Sequence, residues 1–459
     1  MAESSLRPAP MRRRRFLRHP AQFVVLGFAG AIGLGTLLLL LPVSRSGAGG
    51  APVLTAFFTA TSATCVTGLA VVDTPSYWST FGEVTILAMI QIGGLGIMTL
   101  ASLIGLLISR RMGLRTRMTA AAETRAVGLG DVRSVVKGVI AFSLLFEALT
   151  TVALTLRLWL GYDEPIGRAT YLGLFHAVSA FNNAGFALYS DSLVRFVDDP
   201  WICLPISLAV ISGGLGFPVM LELRRQIRRD GNRRRVWSLQ LKLTLSATAV
   251  LLVLGTVFVT ASEWSNPATL GALDPPGRIL AGFFQGAMPR TAGFNSLDYG
   301  QMGEGTLLGT VILMFIGGGS AGTAGGIKVT TFVILFFAVY AEVRGEAAVH
   351  GFRRRIDDRL VRQALTVALL AVGAVVAGTL VMMELTTYTT HEMLFEVTSA
   401  FATVGLSTGL TPHLPADAQL VLVVLMFLGR LGPITLVSAL ALRERQRLYE
   451  LPEGRPIIG

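Results

Sequence analysis

Four short stretches of the chain share one frame and point to one kind of chemistry. Ser62–Leu69 reads SATCVTGL, Ser179–Phe186 reads SAFNNAGF, Ala287–Phe294 reads AMPRTAGF and Ser399–Leu406 reads SAFATVGL. In each, a small residue precedes a glycine by six positions and a large apolar residue follows it. Glycine reaches positive φ without steric cost, so a glycine placed after a short apolar helix marks backbone that turns sharply or is approached closely. Four such turns around an axis would present rings of carbonyl oxygens. Such rings replace the hydration shell of a bare K⁺ or Na⁺ without a fixed charge that would trap the ion. The candidate lining segments are Val66, Thr67 and Gly68; Asn183, Ala184 and Gly185; Thr291, Ala292 and Gly293; and Thr403, Val404 and Gly405. The last reads TVG, as the filters of potassium channels do. One TVG tripeptide is a weak signal, whereas four copies in register are a specific one.

The elements that must position these loops follow from the spacing and the hydrophobicity. The four glycines lie 117, 108 and 112 residues apart, far beyond the roughly 20–50 residues of a solenoid repeat. Each repeat is therefore a larger unit. With 459 residues, 52% of them apolar and only 15% charged, and a mean hydropathy of +0.62, the chain reads as a polytopic membrane protein. The first apolar run, Ala21–Leu41, is long enough to span a bilayer and too long for the apolar region of a signal peptide. Pro52–Thr64 is too short to span, and Val84–Ser109 spans again. The same order recurs as Val135–Leu158, Ala169–Phe181 and Trp201–Leu223; as Leu239–Thr260, Arg278–Met288 and Leu307–Tyr340; and as Leu360–Met383, Met393–Phe401 and Ala418–Leu442. The expectation is an all-α fold of eight spanning helices and four re-entrant half-helices, arranged with pseudo-fourfold symmetry around a pore. A half-helix ending inside the membrane is tolerated only where its free backbone is buried in protein or lines a watery cavity. The units are expected at 21–117, 118–235, 236–347 and 348–446, with tails at 1–20 and 447–459.

Charge gives the orientation. Of the 39 Lys and Arg, 31 fall in five clusters: Arg7–Arg18, Arg110–Lys137, Arg224–Lys242, Arg344–Arg362 and Arg443–Arg455. By the positive-inside rule these clusters, and both termini, are expected in the cytoplasm, with the acidic loops outside. The net charge of +11 therefore reads as topology and attraction to anionic lipid rather than as a nucleic-acid footprint.

A second set of glycines recurs after each filter glycine, at Gly93-Gly-Leu-Gly, Gly213-Gly-Leu-Gly, Gly317-Gly-Gly-Ser and Gly429-Arg-Leu-Gly. For the first two, close helix packing is the preferred reading. The third differs. Gly317, Gly318, Gly319, Ser320, Ala321, Gly322, Thr323, Ala324, Gly325 and Gly326 place six glycines in ten positions inside an apolar segment. Each interior glycine costs a helix about 1 kcal/mol, so this stretch is expected to be an intramembrane loop beneath the filter. A phosphate-binding loop is excluded because Gly326-Ile327-Lys328 breaks the required Gly-Lys-Ser/Thr run. Arg430 is expected near the middle of the last apolar helix, facing the cavity, where a charge costs at least roughly 2.5 kcal/mol. Lys328 either lines an inner vestibule or reaches the cytoplasmic interface. Glu147 and Glu396 lie within helices, and sequence does not give their partners.

Enzymatic readings find no support. The two cysteines make no metal or disulfide framework, the five histidines form no HExxH or comparable cluster, and no strand-associated GxGxxG unit is present. A carrier built on two inverted repeats fits poorly, because the four units enter and leave on one side.

The motifs CVTGL, FNNAGF, RTAGFN and TVGLSTG resemble the four filter loops of the Trk/Ktr/HKT superfamily of potassium transporters, over essentially the whole chain. Among its branches the chain is most similar to the KtrB-type membrane subunits. Trk-type subunits usually carry an extra N-terminal helical hairpin, and here one helix precedes the first loop. The resemblance implies K⁺ as the transported ion, filter residues as given above, a gate at Gly317–Gly326 with Arg430 beside it, and no cofactor. It further implies a homodimer in the inner (plasma) membrane on a cytoplasmic ring of nucleotide-binding KtrA-type subunits, with Na⁺ as the candidate coupling ion. In that superfamily serine at the first filter glycine goes with Na⁺ preference, so Gly68 is the K⁺ form. The chain holds no ATPase motif, and the expected driving force is the membrane potential, worth about 2.3 kcal/mol per charge per 100 mV.

Overall fold

A computed structural model describes residues 20–111, 132–227 and 237–432. The expected terminal tails, much of two basic loops and the last helix beyond residue 432 lie outside these residues. The chain runs α1 (Pro20–Leu39), α2 (Val53–Cys65) and α3 (Thr80–Arg111), then α4 (Val132–Gly161), α5 (Ile166–Phe181), α6 (Pro200–Leu215) and α7 (Phe217–Ile227). It continues with α8 (Leu239–Glu263), α9 (Pro275–Ala287), α10 (Glu304–Phe315) and α11 (Val329–Val343), then α12 (Asp358–Leu385), α13 (Thr390–Ala402) and α14 (Ala416–Leu431). Strands β1 (His350–Gly351) and β2 (Arg354–Arg355) form a minimal hairpin between α11 and α12.

Local sequence sets where the helices start. Asp199 caps α6 by accepting from Trp201 N–H, and Asp274 caps α9 by accepting from Gly277 N–H, each just before a proline at the first helical position. Ser238 caps α8, and Thr389 with Glu392 forms a capping box on α13. Two of these caps, on α9 and α13, fix where the third and fourth short helices begin, whereas α2 and α5 start after Pro52 and Pro165 without a side-chain cap.

The spans depart from expectation in two places. Val136–Gly161, Leu239–Glu263 and Asp358–Leu385 are each long and apolar enough to cross a bilayer. The expected continuous helix Trp201–Leu223 is instead broken at Gly216, φ +88°, and α6 and α7 meet at 103°. The reason is the docking of another loop against this break, described below. The third unit is split as expected, with residues 316–328 non-helical, as the glycine content requires. Finally α14 ends at Gly432, φ +81°, which puts Arg430 in its last turn rather than mid-helix.

The outward faces of the long helices are apolar at helical spacing. Leu145, Leu149, Val152 and Leu156 on α4, and Leu365, Leu369, Val372, Val376 and Leu380 on α12, are all exposed. No more than a third of the most apolar stretch of each of the three spans is buried, an arrangement suited to lipid rather than water. The inward faces hold the short helices, whose phenylalanines Phe58, Phe175, Phe284 and Phe395 are fully buried. The short helices are thus the centre of the fold, and the long helices are their casing.

Candidate functional site: four glycine loops and the loop beneath them

Each short helix ends in backbone of the same kind. Two residues before the glycine, Val66, Asn183, Thr291 and Thr403 all take left-handed φ, between 51° and 69°. The glycines Gly68, Gly185, Gly293 and Gly405 follow with φ of +97°, +68°, +75° and +93°. Only the asparagine is a residue type that visits this region readily. For valine and threonine the conformation costs on the order of 1–3 kcal/mol each, so the surroundings must hold it. Part of that hold is visible: Thr67, Ala184 and Val404 donate their N–H groups back to the carbonyls of Ser62, Ser179 and Ser399 at 2.7–2.8 Å. The Ser62 and Ser399 hydroxyls also accept from Gly68 and Gly405 N–H, both at 3.1 Å. With the N–H groups turned back to the helices, no hydrogen bond among the described residues is donated to the carbonyls of Thr67, Ala184, Ala292 or Val404.

Those carbonyls close a ring. A Cβ built on Gly68 would lie 2.4 Å from the Ala184 oxygen, and one on Gly185 would lie 2.8 Å from the Ala292 oxygen. On Gly293 it would lie 2.4 Å from the Val404 oxygen, and on Gly405 it would lie 2.0 Å from the Thr67 oxygen. The neighbours run first to second, second to third, third to fourth and fourth back to first. All four glycines line one open cavity of about 270 Å³, with the carboxylate-bearing Asp73 in its wall. Four helix C-termini, with their partial negative charge, adjoin the same ring.

The glycine-rich segment packs directly against these loops. A Cβ on Gly325 would meet Thr403 Oγ1 and the Ala402 oxygen, and Thr323 Oγ1 bonds the Asn183 side chain at 2.7 Å. The segment is also tied to the break between α6 and α7: Gly319 and Thr323 N–H donate to the Gly214 and Gly213 carbonyls, and Phe217 N–H donates to the Ala321 carbonyl. The Gly213-Gly-Leu-Gly run is therefore a docking edge and a turn in addition to the close packing expected of it, since a Cβ on Gly213 would lie 1.9 Å from the Phe181 carbonyl oxygen. Gly93 packs in the same way, pressed inside α3 against the Thr64 carbonyl.

Arg430 is buried and donates from Nη1 to the Thr323 carbonyl and from Nη2 to the Gly93 carbonyl at 3.0 Å. It thereby ties the last helix to both the glycine-rich segment and α3. Lys328, half-buried, turns its Nζ back to the Ala324 and Gly325 carbonyls of its own segment. Arg290, in the RTAGF stretch, is buried and donates to Thr248 on α8.

Of the four buried glutamates among the described residues, Glu147 and Glu396 adjoin the glycine loops. Glu147 accepts from Gln91 at 3.0 Å and from Asn182 at 3.4 Å, and Asn182 also donates to Gln91 at 2.7 Å. Glu396 accepts from the Ser407 hydroxyl, the Thr408 N–H and the Thr411 hydroxyl at 2.6, 3.0 and 2.8 Å. Sequence reasoning had no access to Gln91, Asn182 or Thr323, since their partners lie 35 to 140 residues away.

A predominantly helical membrane protein with a closed ring of carbonyl-bearing loops belongs, by fold and site, with ion-translocating proteins. Residues 17–449 match the TrkH family of cation transport proteins, and the chain belongs to that family. It is 41% identical over 443 residues to the Ktr system potassium uptake protein B of Bacillus subtilis, covering 96% of this chain and 97% of that one. It is 34% identical over 450 residues to the potassium/sodium uptake protein NtpJ of Enterococcus hirae, covering 96% and 97%. The crystal structure of the potassium transporter TrkH from Vibrio parahaemolyticus shares the fold, with a TM-score of 0.71 at 19% identity over 94% of this chain and 87% of that one. The chain is an integral membrane transport protein, not an enzyme.

Proposed function

We propose that this chain is the ion-translocating subunit of a Ktr-type potassium uptake system. The observation that carries the reading is the closed ring of four glycine loops, each leaving carbonyls without a donor among the described residues. Such carbonyls substitute for the hydration shell of K⁺. Val66–Gly68, Asn183–Gly185, Thr291–Gly293 and Thr403–Gly405 are the selectivity filter, contributed by four pseudo-fourfold pore units. Gly317–Gly326 is the gate, and Arg430 holds it shut by occupying the Thr323 carbonyl. The Arg430 positive charge also opposes cation passage at that level.

The name of the Bacillus subtilis relative, a Ktr system potassium uptake protein, supports potassium as the ion and a multi-subunit system as the context. We assign the partner as a cytoplasmic nucleotide-binding ring of KtrA type beneath a homodimer of this chain, on the resemblance of the filter motifs. The Enterococcus relative, named for potassium and sodium, supports Na⁺ as the second ion. The alternating basic clusters support cytoplasmic termini in the plasma membrane. The test is ion flux through purified protein in liposomes with K⁺ and Na⁺ compared. Faster K⁺ than Na⁺ uptake, driven by an inside-negative potential, is the expected result; equal rates for the two ions would overturn the filter assignment.

A further inference from the structure

We infer that His176, Gln285 and Glu396 are positioning residues for the filter: one buried acceptor in each of the last three pore units, pinning the chain just outside the glycine. The inference rests on the filter reading above. In each short helix the residue after the buried phenylalanine is polar: Thr59 after Phe58, His176 after Phe175, Gln285 after Phe284 and Glu396 after Phe395. Three of the four make the same bond. His176 Nε2 accepts from Leu188 N–H at 3.2 Å, and Glu396 Oε1 accepts from Thr408 N–H at 3.0 Å. Gln285, in the amide orientation that satisfies both its ends, accepts from Ser296 N–H at 3.2 Å and Leu297 N–H at 2.8 Å, and donates to Tyr299 Oη at 3.0 Å. Leu188, Ser296 and Thr408 each stand three residues beyond their glycine.

Three chemically different side chains converge on one role, which needs only an acceptor. The Leu188 N–H can donate only to an unprotonated Nε2, so the His176 proton sits on Nδ1, which donates to the Leu172 carbonyl at 2.8 Å. All three side chains are at least 98% buried. A buried N–H left without an acceptor would pull the chain toward another partner. The clasp therefore fixes the exit of the loop, as backbone bonds fix its entry, from Ala184 N–H to Ser179, Ala292 N–H to Met288 and Val404 N–H to Ser399, and the glycine between them is held from both sides. A carbonyl ring held in this way keeps its diameter when the ion leaves. The first unit lacks the clasp: the Thr59 hydroxyl is buried and finds no partner among the described residues. The loop of Gly68 is thus the one quarter held on the entry side alone, and the ring is built unevenly.

The test uses full-length protein in liposomes and reads the K⁺/Na⁺ flux ratio per folded molecule, with Gly68→Ser as the reference for a damaged filter. His176→Leu and Glu396→Leu should lower the ratio by roughly tenfold, the factor equivalent to about 1.4 kcal/mol. His176→Gln and Glu396→Gln should keep it, since the third unit already uses glutamine. A general loss of stability would lower the yield or the melting temperature without separating glutamine from leucine in the ratio. If the leucine variants do not fold, His176→Asn against His176→Gln carries the test: asparagine is too short to reach Leu188 N–H and should lose the ratio that glutamine retains. A ratio unchanged in folded leucine variants, or equal in the asparagine and glutamine variants, while Gly68→Ser lowers it, would overturn the clasp alone. A ratio unchanged in Gly68→Ser would overturn the filter reading beneath it.

Discussion

Gly68→Ser is the sharpest perturbation of the ring, and its size can be worked from the backbone. The added Cβ would stand 2.4 Å from the Ala184 carbonyl oxygen, and real Cβ contacts below 3.0 Å essentially do not occur. The obstacle is backbone rather than a flexible side chain, so the Ala184 carbonyl must retreat by about 0.6 Å or the loop of Gly68 must rotate. Either movement takes one carbonyl of four away from the ion. If that carbonyl contributes to discrimination about as much as one net hydrogen bond, on the order of 1.4 kcal/mol, the K⁺/Na⁺ ratio falls about tenfold. Serine at φ +97° carries its own strain, and a second variant separates the two effects. Gly409 has φ +89° and nothing within 4 Å of a built Cβ, so Gly409→Ser introduces the strain without the collision. The assay is competitive K⁺ and Na⁺ uptake into liposomes by purified protein, normalised to folded molecules. The reasoning fails if Gly68→Ser keeps the wild-type ratio, or if Gly409→Ser lowers it equally.

Three further outcomes are expected. Arg430→Ala frees the Thr323 and Gly93 carbonyls and should raise K⁺ flux while leaving the K⁺/Na⁺ ratio nearly intact; wild-type flux in folded protein would make the glycine-rich segment mere packing. Cysteines placed at Ser4 and at Gly459 should resist membrane-impermeant labels applied outside intact cells, and labelling of either refutes cytoplasmic termini. Asp199 caps α6 and accepts from Arg157 at 2.7 Å and Tyr162 at 2.9 Å, so Asp199→Ala should cost about 1–2 kcal/mol of stability. Thermal unfolding in detergent checks it, and an unchanged midpoint would mean that the loop re-forms its contacts without the carboxylate.

What the sequence made legible were features that depend on composition along one segment. Four short apolar helices ending at glycines are found where expected, because length and hydrophobicity decide them. The non-helical course of residues 316–328 follows from glycine content alone. Illegible were the features that one segment imposes on another. Nothing in Trp201–Leu223 announces a 103° bend, since Gly216 becomes a turn only when Ser320, Ala321 and Gly322 lie against it. Val66, Thr291 and Thr403 have no local preference for left-handed backbone; the ring and the helix ends hold them there. Arg430 was legible as a charge needing buried carbonyls, but its place in the last turn follows from Gly432, which reads equally well as one more packing glycine. The polar residue after each buried phenylalanine was in plain view at 59, 176, 285 and 396. It escaped notice because threonine, histidine, glutamine and glutamate share no motif, only, for three of them, the ability to accept one N–H. A site built from interchangeable acceptors leaves a geometric signature and almost no sequence signature, so positioning residues of this kind are to be sought by asking which buried N–H groups a loop cannot satisfy by itself.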